Sequence, residues 1–547
     1  MKRRLFLTLA AILVLTPSLP AQASSSRPVS SSGKKFLVPQ EQINGTWVGQ
    51  EDALIEEVTV THKGLLFRRL DVGVSGSLSG WIVKEGSRLN HFVSAPEFAF
   101  TQSGNHYRRF HGILRYEASK GSALTLIYPE NRTAWNGKLF VTVHGSGGSF
   151  TGESLNPWNQ LYNRSQPLVD ISKYERLMLD RGYAVAKTRR NGGSPGDYAV
   201  TLDSGEVVQG RNLNVHTGLV LGFARLAENL LEARLGETPR RTYWYGHSGG
   251  AMNGRLVNYI PGINADDNGR PIIDGFLNDD SGGGRFLPVL MKDGKDTLLL
   301  LDEERRNFVR TIEISHQLYS RDLEVADLPE WMSGVFLVNK RLTAKILQDK
   351  GLGDKVRMYE VSGISHQGGE YLEDGRDGDI VILDLSRVMG ALIDRLDDWV
   401  ENGIAPPPTR SDWLALGDVD GDGINENPAI ALPELSCPLG LYYQFPRSLG
   451  TGGSGRTGFA LFDGQDLEPI DGRGVFVDMN LNRYLDHRES VELAWRRMGL
   501  LNPGETFTRT LYQQCVQATV DQLKKAGLTT QRVADLYLKE AEEVEFP

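Results

Sequence analysis

Between Gly137 and Gly403 the chain alternates short apolar runs with longer amphipathic ones, and this rhythm constrains its fold more than any other feature. GKLFVTVHGSGG is an apolar strand that opens into glycines; ERLMLDRGYAVAKTRRNGG reads as a helix and then a strand. VHTGLVLGFARLAENLLEARLG has its apolar residues at helical spacing, and the strand RTYWYGHSGG follows at once. PIIDGFLNDDSGGG, NFVRTIEISHQLYSRD and KVRMYEVSGISHQGG continue the series, which VILDLSRVMGALIDRLDDWVENG closes as a helix. Strands apolar along their whole length are buried on both faces, and the helices between them supply the cover. The expected class is α/β: a mainly parallel sheet with helices on both faces.

The flanks read differently. Residues 1–23 combine Lys2, Arg3 and Arg4 with an apolar run from Leu5 to Leu15 and the small-residue site Ala21-Gln22-Ala23, the pattern of a secretory signal peptide. Residues 24–35 are a Ser-rich leader expected to be disordered. From 36 to 130 the segments EEVTVTH, GILRYEAS and ALTLIYP are strand-like, a β-rich region that leads toward a larger sheet. The core runs over 131–408, where the prolines of IAPPPTR stop the last helix. Residues 409–547 form an appended α+β segment.

Composition narrows the partners. The formal net charge is −9, and loss of the leader removes three cations and no acid. An acidic chain without a basic run is a poor ligand for nucleic acid. After the leader no apolar stretch reaches the roughly 20 residues of a transmembrane helix. The two cysteines, Cys437 and Cys515, are an even pair in a chain read as exported, and a disulfide is expected. It would close a loop of about 80 residues, for a stabilisation on the order of 4 kcal/mol.

Within the core, YWYGHSGGAMNG sets Ser248 between glycines at a strand-to-helix junction, the order of a nucleophile elbow. Upstream, LFVTV runs into His144-Gly145-Ser146-Gly147-Gly148, a loop able to present backbone N–H groups to an oxyanion. Downstream, GISHQGG places His366 after the last strand, where a general base is needed. The acid is less defined. Asp322 is the first carboxylate beyond the strand RTIEISH; Glu313 lies inside that strand, Glu324 follows it, and Asp279 and Asp280 end the preceding one.

These motifs resemble the α/β-hydrolase superfamily over Gly137 to Gly403. The endings LDDWVENGIAPPP and AIALPELSCPLGLY are similar to bacterial α/β-hydrolase-domain proteins of poorly defined substrate. The resemblance implies a Ser248–His366–Asp322 triad, with an oxyanion hole from Gly145, Ser146, Gly147 and Gly249. It also implies a small-molecule or polymeric ester as substrate, with no cofactor in the chemistry. Outside the core, Asp478, Asn480, Asn482, Asp486 and Glu489 fall at calcium-loop positions, although Arg483 stands where glycine is usual. DVDGDGINENPA, from Asp418, has the first acids but ends on Ala429 instead of a glutamate. Any such calcium would be structural. Two other readings stand beside the esterase: a serine peptidase on the same fold, and a calcium-dependent binding protein with an inert scaffold.

Overall fold

Ten strands build the central sheet of the computed structural model. They are β1 (Lys34–Leu37), β2 (Asp52–His62), β3 (Leu65–Val74), β4 (Leu124–Pro129) and β5 (Lys138–His144). Then come β6 (Ala184–Arg189), β7 (Arg241–His247), β8 (Gly275–Asp279), β9 (Arg310–His316) and β10 (Val356–Val361). Side chains are described for residues 59–70, 124–143, 171–188, 220–247 except 222, 249–258 except 252 and 256, 264, 270–279, 308–315, 351–364, 383–410, 429–440, 490–544 and 546. Further strands are described by their backbone course alone.

The spatial order is β1-β2-β3-β4-β6-β5-β7-β8-β9-β10. From β6 to β10 every neighbouring pair is parallel. The strands of the N-terminal region form an antiparallel wing, which joins the rest where β4 pairs with β6. The strand-like entry region therefore does lead into the larger sheet. A mainly parallel sheet with helices on both faces is the α/β class the sequence led us to expect.

Period-two alternation gives each strand two distinct faces. Helix α1 (Lys173–Leu179) and helix α4 (Ser386–Asn402) cover one of them, and α2 (Thr217–Leu235) and α3 (Gly249–Tyr259) the other. Helix α1 starts with a capping box, in which Ser172 accepts from the Glu175 N–H and Glu175 accepts from the Ser172 N–H. Helix α4 buries Val388, Met389, Leu392, Ile393, Leu396 and Trp399, the stripe that its sequence periodicity predicts. Gly403 ends it in the left-handed conformation, its N–H bonded to the carbonyls of Asp398 and Trp399. That stripe meets Tyr243, Leu277, Ile312, Ile314 and Tyr359 in one continuous core. Each fully buried aliphatic side chain there contributes about 1.5–3 kcal/mol.

The chain beyond residue 408 is stitched to the free side of β10. Arg410 and Ile430 form parallel bridges to Tyr359 and Val361, and Ile430, Leu432, Leu523 and Leu528 extend the main core. Helices α5 (Val491–Arg497), α6 (Arg509–Lys525) and α7 (Gln531–Glu543) gather a second cluster around Trp495, Val516, Val520, Tyr537 and Ala541. Cys437 and Cys515 are bridged at its side, as the sequence suggested, over a separation of 78 residues.

Candidate active site

One residue, number 248, separates the end of β7 at His247 from the start of α3 at Gly249. A strand that becomes a helix across one residue must turn sharply, and the backbones around this junction lie in contact. A Cβ on Gly246 would meet the carbonyl group of Gly250, and a Cβ on Gly250 would meet the carbonyl oxygen of Val143 on β5. Two glycines of GHSGG are therefore required by close approach. Gly249, at the first position of α3, carries one of the N–H groups that have no acceptor within the helix and form its positive end.

The parallel register brings the other motifs to the same edge. His144, the last residue of β5, lies opposite His247, and His247 lies opposite Asp279, the last residue of β8. Strand β9 ends at His316 opposite Val361, the last residue of β10. The HGSGG loop, the elbow, the segment leading to Asp322 and the segment leading to His366 thus all leave the sheet from one edge. Ser248, His366, Asp322, Glu324, Asp280, Gly145, Ser146 and Gly147 themselves lie outside the described residues. So do Asp478, Asn480, Asn482, Asp486 and Glu489. Among the described residues no group of three or more His, Cys, Asp or Glu could hold a metal ion.

Two of the alternative acids are described, and both are engaged. Asp279 is buried, and the Tyr245 hydroxyl donates to its Oδ2 at 3.0 Å. Glu313 faces α3, where Arg255 Nε lies 3.0 and 3.1 Å from its two oxygens and Arg255 Nη2 2.5 Å from Oε2. Asn278 Nδ2 donates to Oε1 at 2.9 Å. The Arg255 and Glu313 side chains are 2% and 1% exposed. Glu313 is the strand residue that the sequence suggested; its partner was not foreseen. A glutamate within the apolar run of RTIEIS was the available signal, since a buried carboxylate needs a cation or donors. The sequence does not say which arginine answers it.

Other charged groups concentrate at the opposite, amino edge. Lys138 Nζ sits 2.6 Å from both Asp397 oxygens, and the Tyr243 hydroxyl donates to Asp397 at 2.6 Å. Burial, with the neighbouring Asp397, pushes the Tyr243 hydroxyl pKa far up, so it remains a donor. Burial also raises Asp274, against the Thr242 N–H and Arg241 that lower it. For Asp180, burial acts upward but is outweighed by Lys63 and His62, and the carboxyl falls below its ordinary range. A cavity of about 610 Å³ lies here, between Leu65–Phe67, Pro129–Asn131 and Leu179–Gly182. It opens at the wrong edge to serve the elbow. This end of the molecule is fastening.

Residues 223–460 match a family described as "Alpha/beta hydrolase domain". No curated protein matches the chain. Solved structures similar to it include TT1662 from Thermus thermophilus, 14% identical, covering 56% of this chain and 99% of that one at a TM-score of 0.26. The poly(3-hydroxybutyrate) depolymerase LpqC from Bordetella parapertussis is 11% identical over 57% of this chain and 92% of its own, with a TM-score of 0.26. An esterase from the anaerobe Clostridium hathewayi is 11% identical over 56% and 76%, with a TM-score of 0.30. Over the matched residues the chain carries an α/β-hydrolase domain, in keeping with the parallel sheet order.

Proposed function

We propose that this α/β-hydrolase domain is an exported serine hydrolase that cleaves a carboxylic ester. The observation that carries the proposal is the one-residue junction at position 248, with Gly246 and Gly250 forced by backbone contact at the carboxyl edge of the sheet. Ser248 Oγ attacks the acyl carbonyl while His366 takes its proton, and the carboxylate of Asp322 holds the imidazole in the tautomer that accepts it. The N–H of Gly249 and one from the Gly145–Gly147 loop receive the oxyanion. His366 then protonates the departing alcohol, and water repeats the sequence on the acyl-enzyme. The assignment of the acid to Asp322 is supported by the engagement of Glu313 with Arg255 and Asn278, and of Asp279 with Tyr245. Export is supported by the leader pattern and the disulfide. A calcium held by the loop from Asp478 to Glu489 belongs to the same reading as a structural ion.

The test is turnover of p-nitrophenyl acetate and of peptide anilides, together with labelling by a fluorophosphonate. Ser248→Ala and His366→Ala should each lower kcat on the order of 10⁶-fold, and the pair together should do little more, because the residues act as a unit. Ester turnover that survives Ser248→Ala would move the nucleophile elsewhere. Preference for the anilides would make the protein a peptidase, and absence of both turnover and labelling would make it a binding protein.

A further inference from the structure

We infer that Arg255 and Glu313 are positioning residues of the proposed hydrolase: their buried ion pair locks the helix that follows the nucleophile onto the strand that leads to the acid. The inference rests on the serine-hydrolase reading and extends it to residues that do not touch substrate.

The first turn of α3 is Gly249, Gly250 and Ala251, with almost no side chain to grip the sheet. Its backbone lies in close contact with β5, and Trp244 Nε1 on β7 donates to the Gly250 carbonyl at 3.3 Å. The helix is gripped further along. Arg255 reaches across β8 to Glu313 on β9, and Asn258 donates to Thr311 Oγ1 at 2.9 Å and accepts from the Val309 N–H at 2.9 Å. Both anchors are on the same segment, and both lie beyond the strand beside the elbow. Asn278, on the intervening β8, joins them through Glu313 Oε1. The direction of α3 is therefore set relative to β9, and Asp322 follows the end of β9 by six residues. A planar guanidinium held through several N–H groups fixes angle as well as distance, which apolar contact does not. Catalysis is sensitive to such angles, because a displacement of about 1 Å at the reacting groups can cost about 100-fold in rate.

A purely structural role for the pair would make a different prediction, and two variants separate the roles. Arg255→Met combined with Glu313→Gln removes both charges of the pair and keeps an acceptor for Asn278. Replacing a buried pair as a unit is often neutral for stability. Arg255→Lys keeps the charge and loses the planar fork. In the full-length protein we expect both to melt within a few degrees of wild type. We expect kcat on p-nitrophenyl acetate to fall about 10- to 100-fold with KM within about twofold, and fluorophosphonate labelling of Ser248 to slow by the same factor. Should the double variant fail to fold, Arg255→Lys alone decides. A folded variant with wild-type kcat and labelling rate overturns the inference and leaves the hydrolase reading intact. A wild-type protein that is neither labelled nor active overturns both.

Discussion

Under α4 the sheet presents Tyr243, Leu277, Ile312, Ile314 and Tyr359, whereas under α2 and α3 the intervening residues of the same strands include Thr242, Asn278, Thr311 and Glu313. On the α4 side a large apolar core surrounds a buried cluster of Glu175, Lys187 and Thr142, with ion pairs such as Lys138–Asp397 at the amino-edge end. On the other side Glu228 accepts from Thr242, Asn258 bonds Thr311, and Arg255 bonds Glu313, all in the interior. Apolar contact is non-directional, while charge-assisted hydrogen bonds fix direction. Helix α4 combines a continuous apolar stripe with ion pairs of Asp394, Asp397 and Glu401 along its C-terminal half. Helix α3, which starts at the proposed nucleophile, adds to its apolar packing a charge-assisted bond that reaches the middle of the sheet.

That contrast predicts unequal responses. The largest belongs to Arg255→Met alone, which leaves Glu313 as an uncompensated buried charge. Chemical denaturation should show a loss of about 3–5 kcal/mol, and a loss under about 1 kcal/mol would mean that the α3 side is not held by the pair. Leu396→Ala on α4 comes next. It should cost about 2–5 kcal/mol as a cavity, while the folded fraction keeps its kcat on p-nitrophenyl acetate. A large fall in kcat there would erase the distinction between the two faces.

How far the two faces could be read in the sequence follows from the same physics. The α4 stripe was visible, because burying area needs only apolar residues at a helical period. Gly246 and Gly250 were visible too, since glycines forced by backbone contact leave a local signature. Glu313 stood out as a charge inside an apolar strand. Arg255 did not, because the two residues are 58 positions apart and a hydrogen bond requires a matching partner that no periodicity encodes. The antiparallel wing could be suspected from strand-like composition, but its attachment through β4 to β6 is a long-range pairing without a local mark.

The smallest effect is expected away from both faces, at Asp180, which ties the β2–β3 turn to the end of α1 through His62 and Lys63. Its carboxyl pKa is depressed in the folded protein, so its contribution is present above the unfolded value of about 3.9 and disappears as pH falls through the folded one. Lys63 is half exposed, which limits the contribution to about 1 kcal/mol or less. Asp180→Asn should therefore lower the melting temperature slightly at pH 6, and the two proteins should converge once the pH has fallen through the depressed folded-state pKa. A difference that persists in acid would assign the loss to packing, as on the α4 face.

The sheet order also bears on how the chain is made. Strand β5 lies between β6 and β7, both of which follow it in the sequence, and Leu139, Val141 and Val143 make one of its faces wholly apolar. A chain emerging from the ribosome in order has both edges of β5 open until Arg189 is complete, and one edge open until His247 is. An open apolar strand is a template for pairing with another chain. Among the strands of this sheet, β5 is thus the one longest in need of protection during synthesis, and the segment that closes it is the one that carries GHSGG.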